Sequence, residues 1–134
     1  MISGTKEGVE RRQHQRIPVD GGTFVVLQPD RTKLGQVINI GVGGLAFRYM
    51  TPGEPWKGAV VLDLFVVGHD FYLEDLAFEN VWDTKTGKVV PWGSTTLRRK
   101  GIQFAELAPS KQSQLSHFVR SQNPTMSLLT RQNS

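Results

Sequence analysis

The sequence predicts an all-β domain with one C-terminal helix. Short runs rich in β-branched and aromatic residues recur from residue 23 to residue 107, each bounded by proline or glycine turn signals. One stretch stands out as helical, with Leu115, Phe118 and Val119 at the spacing of a single apolar face behind Pro109. A chain of 134 residues with 38% hydrophobic residues suits one domain around one core. Strands this short, at this spacing, point to a closed or nearly closed antiparallel sheet.

The elements follow in order. Residues 1–9 are polar and glycine-containing and are expected to form a flexible N-terminal arm. The domain is expected to span residues 10–120. Its first run, residues 23–28, ends at the turn signal Pro29-Asp30. A second run, 34–38, enters a glycine turn, and a third, 45–49, leaves it. Pro52-Gly53 breaks the chain before a run over 59–66, and Gly68-His69-Asp70 reads as another turn. Residues 71–83 are long enough for a pair of strands, and 97–107 supply the last run. The helix is expected over about 109–120, where Leu115 and Phe118 would cap one barrel opening. A polar tail fills 121–134, with a small apolar knot at Met126, Leu128 and Leu129.

Two motifs carry the chemistry. The first is the basic cluster Glu10-Arg11-Arg12-Gln13-His14-Gln15-Arg16. Arginine is planar and permanently charged, and its fork suits phosphates and guanine edges. In an extended segment Arg12 and Arg16 point to the same side, because side chains alternate with a period of two. The second motif is Asn39-Ile40-Gly41-Val42-Gly43-Gly44. Asn39 offers both a donor and an acceptor. Gly43 and Gly44 allow a tight turn with φ > 0 and expose backbone N–H groups. Taken singly, the first motif is an ordinary solvated basic surface and the second an ordinary β turn. Their order and their separation of 23 positions, 39 minus 16, give them joint meaning.

In that order they resemble the RxxxR and (D/N)xSxxG pair of PilZ domains, which bind cyclic diguanylate. Arg12 and Arg16 fill RxxxR, Asn39 the D/N position and Gly44 the final glycine. Gly41 stands where the family has serine. Residues 100–104, then Pro109 and the stretch to Val119, are similar to the family's last strand and closing helix, so the likeness covers roughly residues 8–120. It implies a small six-stranded antiparallel β-barrel of the split-barrel type. It also implies a ligand site made of Arg11, Arg12, Arg16, Asn39, Gly41, Gly43 and Gly44. Arg11, just before RxxxR, looks like the type that holds a stacked pair of ligands. The hydroxyl missing at Gly41 removes one bond, a net loss of about 0.5–1.5 kcal/mol, and water can take its place. Trp82, near the end of the 71–83 run, is either a flat face for guanine or a tryptophan packed at the barrel edge.

Composition narrows the remaining classes. The net charge is +4 and the pI about 9.7, which admits an anionic partner. There is no cysteine, so disulfides and thiolate chemistry are excluded. No apolar run reaches the ~18 residues of a membrane helix, and no secretory signal is visible, so a cytoplasmic protein is expected; the resemblance to PilZ domains implies a bacterial one. No enzyme is expected. The glycine turn is neither a Walker loop nor a dinucleotide fingerprint. His14, His69 and His117 are scattered, so no metal site is expected. The acids Asp63, Asp70, Glu74, Asp75, Glu79 and Asp83 mostly read as outward-facing strand or turn positions. Trp56 and Trp92 read as loop packing.

The expected function is binding of cyclic diguanylate as ligand, with no cofactor, and transfer of the signal to a protein effector by ordering of the arm. Two alternatives stay open. One is a degenerate PilZ-type adaptor that binds protein rather than nucleotide, as in pilus or flagellar machinery. The other is a small basic barrel that binds nucleic acid. Such barrels interleave aromatics with cations, whereas the first arginine cluster has none beside it and Arg98-Arg99-Lys100 lies far off in sequence.

Overall fold

The computed structural model of the chain describes residues 16–29, 31–56, 58, 60–88 and 95–122. Its strands are β1 (Ile17–Pro18), β2 (Thr23–Leu27), β3 (Lys33–Ile40), β4 (Gly44–Thr51), β5 (Val61–Val66), β6 (Phe71–Lys88) and β7 (Thr96–Phe104), followed by helix α1 (Pro109–Gln122). Along the sheet the order is β1-β3-β2-β5-β6-β7-β4, and β3 also pairs with β4. Strands β2 to β7 therefore close into a six-stranded barrel, with every pairing antiparallel. Closure removes the unpaired edges that an open sheet would expose.

β1 holds two residues beside the end of β3, with Ile17 opposite Ile40 and Pro18 opposite Asn39. It is too short to show a period in the sequence. β6 differs from expectation more plainly. Residues 71–83 belong to one strand of 18 residues, not to a strand pair. Glycine appears in it only at Gly87 and proline not at all, so nothing in it forms a tight turn. Extra residues instead bend it. Glu74 and Asp75 together oppose Asp63, Val81 is inserted between the Asn80 and Trp82 pairings, and Thr86 between those of Lys85 and Gly87. Such bulges bend a strand and raise its twist. The first half of β6 thus pairs with β5 and the second half with β7.

The alternating residues of these strands fill the barrel. Val25, Ile40, Leu45, Phe47, Leu62 and Leu64 are fully enclosed. Phe47 takes the space over Gly35, where an added Cβ would lie 2.3 Å from its Cδ2. α1 begins at Pro109 and closes one opening, with Leu115 and Phe118 buried. Phe118 stacks on Phe71 at 4.4 Å between ring centres. Each such side chain contributes about 1.5–3 kcal/mol when fully buried.

Asp63 corrects an expectation, since it is fully buried, not outward. Its carboxylate accepts from Gln28 Nε2 at 2.9 Å, from the Asp75 N–H at 2.9 Å and from the Tyr72 hydroxyl at 2.8 Å. Arg31 Nη1 stands 3.3 Å away. Asp75 has φ of 61°, and the Asp63 carboxylate caps the N–H that this bulge leaves free of the ladder. A buried carboxylate needs such partners to offset its lost hydration.

Candidate functional site

The glycine turn joins β3 to β4 as a tight hairpin. The Gly41 N–H donates to the Gly44 carbonyl at 2.8 Å, which leaves Val42 and Gly43 as the loop. That N–H is spent within the turn and is not presented outward. The Gly43 carbonyl accepts from the Phe104 N–H at 2.9 Å, which ties the turn to the end of β7. The positive-φ glycines among the described residues are Gly58 and Gly68, so the expectation of positive φ at Gly43 and Gly44 is not met. Gly44 is needed for space instead. A Cβ there would lie 2.2 Å from the Ile102 carbonyl oxygen and 2.9 Å from Arg16 Nη2.

Arg16 is thereby placed against the turn. Its Nη2 donates to the Ile102 carbonyl at 3.3 Å, and the side chain is half-buried beside Gly44. Arg11 and Arg12 lie outside the described residues.

Asn39 sits one step further along the barrel. A bulge at Ile38 separates the Val37 and Asn39 pairings, so Asn39 lies opposite Ala46. Ala46 is opposite Gly101, and Gly101 opposite Trp82. These four residues form one row across β3, β4, β7 and β6. Leu45, Phe47 and Ile102, their neighbours along the strands, point into the core. The row therefore faces outward, because side chains alternate between the two sides of a sheet. At about 4.8 Å per strand, Asn39 and Trp82 stand about 14 Å apart. Between them Ala46 and Gly101 make a low floor. Asn39 Oδ1 is buried and has no hydrogen-bond partner among the described residues. Trp82 is 41% exposed and lies over Gly101. The structure brings Arg16, Asn39, Gly44 and Trp82 onto one face.

Sequence reasoning missed the group beneath Trp82. In the run Arg98-Arg99-Lys100, alternation turns Arg98 and Lys100 to one side and Arg99 to the other. Arg98 Nε donates to Asp83 Oδ1 at 2.6 Å, and buried Lys100 donates from Nζ to the Trp56 carbonyl at 2.7 Å. The Tyr49 hydroxyl donates to Asp83 Oδ2 at 2.5 Å and accepts from the Trp56 N–H at 3.3 Å. Trp56 stacks on Tyr49 at 4.0 Å between ring centres. Burial, then the bond to Asp83, pushes the Tyr49 hydroxyl up to about 12. Burial lowers the Lys100 pKa despite the opposing pull of Asp83. Asp83, like Asp63, is therefore a paired internal group and not an outward one. A cleft of about 320 Å³ opens here between Trp56, Asn80, Trp82, Asp83, Arg98 and Lys100. The signal available in the sequence was the period of two over residues 98–100.

Among the described residues no group of three or more acidic, histidine or cysteine side chains is placed to hold a metal ion. No helix among them is long and apolar enough to cross a membrane.

No protein-family model matches the sequence. No curated protein matches it either. Solved structures do. The chain superposes on the PilZ domain with c-di-GMP of YcgR from Escherichia coli with a TM-score of 0.64 and 14% identity. The match covers 90% of this chain and 98% of that one. YcgR from Escherichia coli in complex with c-di-GMP gives 0.63 and 14% identity, over 92% of this chain and 51% of that chain. The Bacillus subtilis inhibitor of motility MotI/DgrA gives 0.50 and 21%, over 81% of this chain and 49% of the other. The chain thus spans about half of these two longer proteins. Its fold is that of PilZ domains.

Proposed function

We propose that this chain binds cyclic diguanylate on the outer face of the barrel, between Arg16 and Trp82. The observation that carries the reading is the convergence of Arg16, Gly44 and Asn39 at one end of a low floor that ends at Trp82. The ligand has two phosphates and two guanines, and this face offers a cation, an amide and an exposed aromatic plane. Among the described residues the buried Asn39 Oδ1 has no donor, and a guanine edge supplies N–H groups. A buried acceptor left without a donor costs about 1–3 kcal/mol, so its satisfaction favours the bound state. Trp82 stacks a base, a contact worth about 1–3 kcal/mol. Arg12 and Arg11 complete the cationic side. Gly41 and Gly43 shape the turn and contribute no side-chain bond. The signal passes to a protein effector through the segment that carries Arg11 and Arg12, in the bacterial cytoplasm, without catalysis.

The test is a calorimetric titration of purified protein with cyclic diguanylate, with Arg12→Ala/Arg16→Ala alongside. Micromolar or tighter binding that the double variant loses supports the reading. Absence of heat at high ligand concentration favours the second reading, a PilZ-fold adaptor that binds protein. The observation behind that alternative is Gly41, which lacks the hydroxyl of the motif it resembles and spends its N–H inside the turn. Nucleic acid fits less well, because Arg98 and Lys100 are turned inward onto Asp83, so that of the run 98–100 Arg99 alone faces outward.

A further inference from the structure

Arg48 and Arg99 are direct partners on neighbouring strands β4 and β7. Both are exposed, and neither forms a hydrogen bond or ion pair among the described residues. Like charges directly opposite each other in a sheet are destabilising. The residues flanking them on that face are Gln36, Thr84, Ala46, Met50, Leu97 and Gly101, and none is acidic. Among the described residues the repulsion therefore has no counter-charge. Such an arrangement is stabilised when an anion binds between the two guanidiniums.

Its position gives it meaning. The pair occupies the outward row next to Ala46 and Gly101, two residues along each strand, or about 6.7 Å. Gly44, with Arg16 against it, occupies the row on the other side of Ala46. Arginines thus stand on both sides of the floor, with about 13 Å between the two outer rows. We propose that Arg48 and Arg99 form a second phosphate cradle on this face. It takes a phosphodiester by paired guanidinium–phosphate bonds. The phosphate comes either from the far side of the same cyclic dinucleotide or from a second one. This rests on the reading that the face binds cyclic diguanylate.

The experiment is calorimetry with cyclic diguanylate on Arg48→Gln/Arg99→Gln and on Arg48→Lys/Arg99→Lys, beside the unaltered protein. If the phosphate belongs to a second ligand, the glutamine variant loses one equivalent of bound ligand. If it belongs to the same ligand, stoichiometry holds and affinity falls about ten- to hundredfold. The lysine variant recovers part of either loss. Unchanged affinity and stoichiometry overturn the cradle and leave the reading of the site intact. A melting series with inorganic pyrophosphate against chloride at equal ionic strength separates the two failures. The cradle predicts that pyrophosphate raises the melting temperature of the unaltered protein and raises that of the glutamine variant less. An equal rise overturns it, whether or not the nucleotide binds. The glutamine variant also reports its own folding, since removal of two opposed charges should leave its melting temperature without anion unchanged or higher.

Discussion

The indole of Trp82 occupies the volume that a side chain at Gly101 would need. A Cβ added to Gly101 would lie 2.3 Å from both Cε2 and Nε1 of Trp82. The two residues face each other across β6 and β7, so the ring is held flat over the floor by the missing side chain. Gly101→Ala is expected to swing the indole outward, at a cost of about 1–3 kcal/mol. Trp82 emission should shift to the red, and on the proposed reading of the site affinity for cyclic diguanylate should fall as well. Measured against Trp82→Phe, the emission change should vanish. An unshifted spectrum in Gly101→Ala would mean that the ring is not seated there.

Gly44 and Gly87 offer an internal comparison. A Cβ at Gly44 meets the Ile102 carbonyl at 2.2 Å and Gln103 Cα at 3.1 Å, both backbone atoms that cannot turn aside. At Gly87 it meets nothing within 4 Å. Gly44→Ala is therefore expected to destabilise the fold by about 1–3 kcal/mol in urea denaturation and to dislodge Arg16. Gly87→Ala should be neutral or stabilising by up to about 1 kcal/mol, because alanine narrows the unfolded ensemble. Equal effects at the two positions would contradict the crowding described at the turn.

The fold was legible wherever a run of residues buried one face. Residues 23–27 and 45–49 alternate inward and outward, and Pro109 with Leu115 and Phe118 marks the helix. The long β6 was not, since its bulges at Asp75, Val81 and Thr86 break the period of two and have no residue signature. For the site, the order of Arg16, Asn39 and Gly44 was visible because those residues lie close in sequence. The row from Asn39 to Trp82 was not, because it is assembled by register between strands 43 residues apart, 82 minus 39. The pairing of Asp83 with Tyr49, Arg98 and Lys100 is likewise a product of closure, as is the placing of Arg48 opposite Arg99.

The two tyrosines titrate late for related reasons. Tyr49 is raised by burial and then by its bond to Asp83, and Tyr72 by its bond to Asp63 and then by burial. In both, the neutral form is favoured by folding. Their contribution to stability is fully present below the unfolded value, about 10, and is lost as pH rises through the folded one. Tyrosinate absorbance of the folded protein should therefore stay low through pH 10, with Tyr49 ionising near 12. The same titration in denaturant should show both groups ionising near 10. Tyr49→Phe should cost about 1–3 kcal/mol, since it leaves the Trp56 N–H without its acceptor and takes one donor from Asp83. Ionisation of both tyrosines near 10 in the folded protein would contradict these contacts.

Folding holds the Asp63 carboxyl in its charged form. Burial alone would raise its pKa, but the Asp75 N–H, the Tyr72 hydroxyl, the Gln28 amide and Arg31 outweigh burial and hold it below the ordinary carboxylate range. A depressed folded value means that the unfolded chain takes up the proton first. The stabilisation is present above the unfolded pKa, about 3.9, and is lost as pH falls through the folded value. Urea denaturation from pH 7 down to 3 should show stability falling at the acid end. Asp63→Asn should be less stable at pH 7 by about 1–3 kcal/mol, because an amide presents an N–H₂ where the carboxylate accepts. Its acid slope should also be shallower, since the group that gains the proton on unfolding is gone. If the variant kept the full slope, the acid sensitivity would belong to other carboxylates, and Asp63 would be held by geometry rather than by charge.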